Sequence, residues 1–376
     1  MRPISIYCHF PWCIEKCPYC DFNSHRLRPR DSFSAYTAAL CQDLRYSRKH
    51  LSSHRIVSVF LGGGTPSLFH ASRINQVLDS IHTLFHVDPA LEVTLEMNPN
   101  SRFEGANPLR WYRQAGVNRL SIGAQSFNNQ HLKRLGRTHQ AHCIIQTFNE
   151  AREHGFTNIN IDLMYALPKQ TLNEALHDLE IACSLQPEHL SWYQLTLEPN
   201  TVFHQQPPSL PSDDLAASMM DSGLNYLASR GYTRYEISAF SLSGMHCRHN
   251  SHYWTFGDYL GCGAGAHSKL SRPQPLRYER HRSPKAYLLA PTKDCHRRTL
   301  HSTDLAFEYM LNRTRLLAPF SLDDFCTATG LDSSVIDASL RQGIAEGLLA
   351  YTQGYYSVST LGLRYLNNVQ LLFMNA

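Results

Sequence analysis

Six apolar, β-rich runs separated by amphipathic stretches fill the first two thirds of this 376-residue chain, and that alternation restricts its fold more than any other feature. The runs cover residues 4–10, 56–61, 91–97, 119–125, 158–166 and 190–197. Each is rich in Ile, Val, Leu or Tyr, the pattern of strands covered on both faces. Between them, 71–85, 140–154 and 172–185 carry apolar residues every three to four positions, as helices resting on a sheet do. Repeated βα units predict an α/β fold with a parallel sheet, either doubly wound or an incomplete (β/α) barrel. In both, functional groups gather at the C-terminal ends of the strands.

Beyond the sixth run the pattern changes. Residues 207–214 read as a proline-rich loop and 215–230 as a further helix. Residues 257–269 (GDYLGCGAGAHSK) are dense in glycine, so they form a loop or a strand with close backbone contacts. Arginine, proline and histidine crowd 272–284, the expected junction between a barrel unit (1–285) and an α-rich unit (300–376). The second unit reads as helices, with one at 321–330 and one at 332–347, a hairpin across 349–358, and a last helix at 360–373. That order is winged-helix-like. A helix reading a DNA groove needs positive charge, whereas 332–347 sets Asp332, Asp337 and Glu346 against Arg341, so no nucleic-acid partner is expected.

Composition narrows the class. A formal charge of +4 without a block of like charges gives no basic arm. No run reaches the ~18 apolar residues of a membrane span, and MRPISIYCHFPW does not read as a signal peptide. Eleven cysteines without an export signal fit a reducing compartment, so the cytoplasm is expected.

Cys13, Cys17 and Cys20 stand in C-x3-C-x2-C spacing directly after the first run. Three thiolates on one loop can cap three irons of a [4Fe–4S] cubane and leave the fourth without a protein ligand. That iron can chelate the amino and carboxylate groups of S-adenosylmethionine (SAM), whose reductive cleavage gives a 5′-deoxyadenosyl radical. Zinc is the competing reading; it wants four ligands, and spacing alone allows His9 or His25 to be one. The position after the first strand favours the cluster. Cys8, inside that strand, reads as core.

Leu61-Gly62-Gly63-Gly64-Thr65-Pro66-Ser67 follows the second run, where glycines let backbone groups approach a ligand. Glu96, Gln125 and Asp162 lie at or near the ends of the next three runs, and Arg137 follows the fourth, where a guanidinium suits a carboxylate.

Taken together, YCHFPWCIEKCPYCDF, FLGGGTPS, EMNPN, RLSIGAQSF, LKRLGRTH, NIDLMYALP and LSWYQLTLEPNT resemble the radical SAM coproporphyrinogen III oxidase-like superfamily over nearly the whole chain. The resemblance implies a partial (β/α)6 barrel with a C-terminal helical domain. It also implies that Tyr7 lies on SAM, that Gly63, Gly64, Thr65 and Glu96 bind it, and that Tyr19, Gln125, Arg137 and Asp162 surround a second SAM or the adjoining substrate space. It assigns no catalytic residue.

Two features divide the branches of that superfamily. The oxidases carry a further cysteine two residues after the third, where this chain has Phe22, and an extension ahead of the cluster that a motif beginning at Cys13 leaves no room for. The ring of Phe22 is expected to pack against the cluster loop. His249-Asn250-Ser251-His252-Tyr253-Trp254 matches HNxxYW, a motif of the heme-chaperone branch. A histidine can ligate heme iron and the aromatics can face a porphyrin; a hydrogen-bonded turn with core aromatics is the plainer alternative. His246 is a second candidate ligand. The resemblance thus implies a protein that binds heme beside a SAM-ligated cluster and passes it to acceptor hemoproteins, with an electron donor and dimerisation as further expectations. The alternative is an oxygen-independent coproporphyrinogen III dehydrogenase, which removes carboxylates by radical chemistry.

Overall fold

The computed structural model describes residues 1–99, 108–272 and 274–374; Asn100, the last residue of EMNPN, lies outside them. The six strands expected from the sequence are present as β1 (Arg2–Phe10), β2 (His54–Gly63), β3 (His86–Met97), β4 (Arg119–Gln125), β5 (Ile159–Tyr165) and β6 (His189–Gln194). They pair in parallel, each with the next in sequence. Strands that neighbour one another in chain order belong to a singly wound, barrel-type sheet, because a doubly wound sheet reverses its order at a switch point. The barrel alternative is therefore the observed one.

The sheet continues past both ends of this set. Thr233–Glu236 (β7) and Ala239–Ser241 (β8) form a hairpin, with β8 antiparallel to β6. On the other side Asp258–Cys262 (β9) pairs in parallel with β1, and His267–Leu270 (β10), Leu276–Glu279 (β11) and His296–Thr299 (β12) follow antiparallel. The glycine-dense stretch is thus a strand, a tight loop and a second strand. At Gly261 a Cβ would run into the His267 backbone, so the tight β9–β10 return has no space for a side chain there.

Strands β4 and β5 have nearly no exposed residue, and Ile4, Ile6, Val59, Leu95, Ile122, Ile161 and Leu190 share one core with helical residues such as Leu44, Ile74, Phe148 and Leu179. Each such side chain contributes about 1.5–3 kcal/mol on leaving water. The packing works because the helices Phe33–Ser47, Ala71–Leu84, Ala141–Glu153 and Leu172–Ser184 return the chain between strands with their apolar stripes inward. The helix expected from residue 215 begins earlier, as Asp213–Ser229, because Ser212 caps it by accepting from the Leu215 N–H.

A second core joins Phe256, Leu305, Tyr309, Phe325, Ile336, Leu340 and Val369. It holds Ser302–Arg313, Leu322–Thr329 and Ser334–Ala345, with an antiparallel hairpin of Leu349–Thr352 and Tyr355–Val358. The last expected helix is broken into Thr360–Arg364 and Leu366–Leu371, since Tyr365 leaves helical geometry at φ −115°, ψ 44°. Residues 315–317 add to the sheet edge: Ile237 N–H donates to Arg315 O and Leu317 N–H to Tyr235 O. No helix among the described residues is long and apolar enough to cross a membrane.

Candidate functional site

The chain leaving β1 turns back on itself. Trp12–Cys13 pairs in parallel with His25–Arg26, closing the intervening residues into a loop. Cys13, Cys17 and Cys20 all line one cavity of about 600 Å³. Each sulfur has a polar neighbour. Thr65 Oγ1 donates to Cys13 Sγ at 3.5 Å, Ser24 Oγ lies 3.5 Å from Cys20 Sγ, and the Arg137 guanidinium reaches Cys17 Sγ at 3.7 Å. Burial pushes the Cys13 thiol up to about 11 and raises that of Cys20. Bound iron supplies the positive charge that lets buried thiols ionise, so these three could hold a [4Fe–4S] cluster.

Zinc finds no fourth ligand at the histidines weighed for it. His9 has both ring nitrogens engaged, with Tyr7 OH at 3.0 Å and Asn23 O at 2.9 Å. His25 turns its Nε2 to Asn23 Oδ1 at 3.2 Å. Among the described residues no three His, Cys, Asp or Glu side chains converge as a chelate for a single ion.

The glycine turn after β2 is clamped onto the cysteine loop. Gly64 N–H donates to Phe10 O at 2.7 Å and Thr65 N–H to Trp12 O at 2.8 Å. A Cβ at Gly64 would lie 2.6 Å from Trp12 O, and Gly63, at φ +113°, has the His9 ring where a side chain would go. Gly63 N–H donates to Glu96 Oε2 at 2.9 Å. The N–H groups of Gly63, Gly64 and Thr65 are therefore all spent within the protein, which leaves ligand recognition here to acceptors. Glu96 is the foremost one. Burial pushes its carboxyl up to about 8, with the Asp162 carboxylate adding to the rise. A buried carboxylate of this kind is completed by a ligand cation, as the SAM amino group would be.

Gln125 and Asp162 face the same cavity. Gln125 ends β4 at φ +70°, a strained conformation for a side-chain-bearing residue, and its Oε1 accepts from Tyr193 OH at 2.8 Å. Asp162 accepts from Ser121 Oγ at 3.0 Å and Asn160 Nδ2 at 2.7 Å, while burial raises its carboxyl. Tyr19 lines the cavity beside Phe203. Arg137 is buried, donating to Gly123 O at 2.7 Å, to Asn98 Oδ1 and toward Cys17. Its charge serves the cysteine loop, and its donors are largely engaged before any ligand carboxylate arrives.

A second cavity of about 570 Å³ adjoins the first, and Phe22, Gly63 and Glu96 line both. Phe22 does not pack as expected: the residue is 58% exposed and stands at the rim between the two spaces. Tyr7 and His249 face this second cavity, with Tyr253 and Tyr259. His249 lies on the helix Arg248–Trp254, 8% exposed, its ring 5.0 Å from that of Phe60. Its Nδ1 is 3.1 Å from Ser58 Oγ, which is 2.7 Å from Ser5 Oγ. Burial holds the imidazole at about 3, so it is neutral. When Ser58 donates to Ser5 it accepts from Nδ1–H, which leaves the lone pair on Nε2, the tautomer of an imidazole ready to bind a metal. Trp254 faces the first cavity instead, with the Arg315 guanidinium 4.2 Å from its ring centroid. His246 stacks on Tyr235 at 4.1 Å and lines neither cavity.

Several residues that shape these cavities carry no local sequence signal. Glu92 Oε1 accepts from His249 N–H and Oε2 from Arg248 N–H, both at 3.0 Å, capping the helix that bears His249. Ser58 acts across a similarly long separation, whereas Asn98 and Tyr193, which lie within EMNPN and LSWYQLTLEPNT, bond to Thr65 and Gln125.

Residues 7–182 match the Radical SAM superfamily, the class that this fold and three-cysteine loop define. Its members carry a [4Fe–4S] cluster and SAM. Along its full length the chain is 40% identical to the heme chaperone HemW of Escherichia coli (strain K12), over 99% of that protein. It is 39% identical to the heme chaperone HemW of Haemophilus influenzae, over 98% of it. The chain belongs to the HemW family of radical SAM proteins. The solved structure of the Escherichia coli coproporphyrinogen III oxidase HemN matches with a TM-score of 0.84 over 99% of this chain and 90% of that one. At 22% identity, that likeness speaks to the fold.

Proposed function

We propose that the protein is a heme chaperone that holds heme in the second cavity, with His249 Nε2 as iron ligand, and passes it to acceptor hemoproteins. The observation that carries this reading is the neutral, Ser58-anchored imidazole facing a cavity of about 570 Å³, a size within the range of small-molecule sites. Full-length kinship with proteins named heme chaperone HemW supports it. In this reading Cys13, Cys17 and Cys20 hold the cluster. Glu96 and the Gly63–Gly64–Thr65 turn receive SAM, with Tyr7 behind them. Tyr19, Gln125, Arg137 and Asp162 form the remainder of the first cavity. When bound, cluster and SAM supply one-electron chemistry.

We assign residues 1–285 to the barrel unit and 300–376 to a helical unit that reaches the first cavity through Arg315. Cytoplasmic residence, a flavodoxin-like electron donor and dimerisation complete the proposal. Heme titration of the wild type and His249→Ala, followed by transfer to an apo-hemoprotein, tests it. The wild type should develop a Soret band and hand heme on. His249→Ala should bind at least ten-fold more weakly with its iron–sulfur content unchanged. Equal affinity in the two proteins would place the iron ligand elsewhere.

A further inference from the structure

The second cavity is built asymmetrically. His249 is 8% exposed and belongs to its depth, whereas Arg282, which lines the same cavity, is an exposed residue of its mouth. Most charged groups on this wall are already committed. Arg277 donates to Glu308 at 2.7 Å and to Tyr259 OH at 2.6 Å. Glu279 is paired with His267 at 3.0 Å and His296 at 3.3 Å. Glu96 accepts from Gly63, and its raised carboxyl is largely protonated at neutral pH. Among the described residues lining this cavity, Arg282 is the charged side chain left with neither a hydrogen-bond nor an ion-pair partner.

Its backbone is held firmly. Two residues earlier, Arg280 is 1% exposed and bonded to Asp43 at 2.5 Å. His281 O accepts from Gly265 N–H at 2.8 Å, and Arg282 O accepts from Asn23 Nδ2 at 2.9 Å. Asn23 also donates to Ala264 O at 2.9 Å, so the residues just after the cysteine motif pin the loop that presents Arg282. The glycine at 265 belongs to this clamp, since a Cβ there would lie 2.5 Å from Asn23 Nδ2. A fixed backbone with an uncommitted guanidinium at the mouth of an aromatic cavity is suited to a ligand that is apolar within and anionic at its edge.

We propose that Arg282 binds a carboxylate of the tetrapyrrole held in this cavity, fixing which edge of the macrocycle faces solvent while His249 holds the metal. This rests on the heme reading of the same cavity. Iron ligation alone leaves a porphyrin free to rotate in its plane, and one charged contact at the rim removes that freedom. An acidic side chain of heme or of another porphyrin presents the same chemistry.

The test titrates wild type, Arg282→Ala and Arg282→Lys, each with its cluster reconstituted, against heme and against heme dimethyl ester, whose carboxylates are blocked. The wild type should prefer heme over its ester by about ten-fold, the scale of one charge-assisted hydrogen bond. Arg282→Ala should lose that preference, binding heme more weakly and the ester as before, while Arg282→Lys restores part of it. The Soret position should stay that of the wild type in all three, because the iron ligand is untouched. An unchanged preference for heme in Arg282→Ala, or equal weakening toward both ligands, would overturn the carboxylate contact. Absence of binding of either ligand by the wild type would instead refute the heme reading on which the contact rests.

Discussion

Gly63 and Glu96 are joined by a 2.9 Å hydrogen bond from backbone N–H to Oε2, and both residues line both cavities. They form a common wall between the space beside the three cysteines and the space beside His249. Gly62 is part of the same wall, since a Cβ there would meet Glu96 Oε2 at 3.0 Å and Phe60 at 2.9 Å. A ligand that draws a proton from Glu96 on one side therefore changes the charge facing the other.

That position gives Glu96 a readable pH dependence. Its carboxyl is raised from 4.5 to about 8 by burial, so the folded protein without ligand holds the proton more tightly than the unfolded chain. The stability this provides is complete below about pH 4.5 and is lost as pH rises toward 8. Glu96→Gln should therefore stabilise the ligand-free protein at pH 8 by on the order of 2–4 kcal/mol, because each pH unit between the folded and unfolded carboxyl is worth about 1.36 kcal/mol. At pH 5 the effect should be small. The same substitution should weaken SAM binding at least ten-fold. Denaturant unfolding at the two pH values and SAM titration check both. Equal stability changes at pH 5 and pH 8 would mean that Glu96 is not the titrating group.

Replacing Cys13, Cys17 or Cys20 singly by alanine should abolish the brown chromophore, because each thiolate is the only protein ligand of its iron. Iron and sulfide analysis after anaerobic reconstitution gives the answer. Four irons and four sulfides retained in any one variant would contradict the assignment.

Glu92 is expected to act on heme through His249 without touching it. Glu92→Ala leaves the buried His249 N–H and the partly buried Arg248 N–H without their acceptor and removes a carboxylate that stabilises the charge on buried Arg119. The cost should be about 2–4 kcal/mol. Heme affinity should fall together with a shift of the Soret band, and Glu92→Gln, which keeps one acceptor oxygen, should recover part of both. A loss of stability with an unchanged heme spectrum would reduce Glu92 to a structural cap.

The barrel was legible because its strands are covered on both faces. Residues 119–125 are apolar or buried at every position, and the run coincides with the observed strand. Strand β3 starts five residues before its sequence signal because its exposed first half, from His86, pairs with Arg55 and Ile56 at the edge of the core. β9 was left open between loop and strand by the glycines of 257–265, of which Gly261 is required by the close approach of β10. The cysteine loop and glycine turn could be read as motifs, since each closes within a few residues. Ser58, Glu92 and Asn23 could not, for their bonds to His249 and Arg282 span 191, 157 and 259 positions. Phe22 shows the limit of residue type as a guide, being apolar yet exposed where two cavities meet.

The most direct measurement incubates the reconstituted protein anaerobically with SAM, reductant and either coproporphyrinogen III or heme, reading porphyrin products, 5′-deoxyadenosine and heme spectrum together. Stable heme binding that depends on His249 and no decarboxylated porphyrinogen are expected, whether or not SAM is cleaved. Conversion of coproporphyrinogen III to protoporphyrinogen would make the protein an oxidase that works with Phe22 in place of a fourth cysteine, and would contradict the chaperone reading.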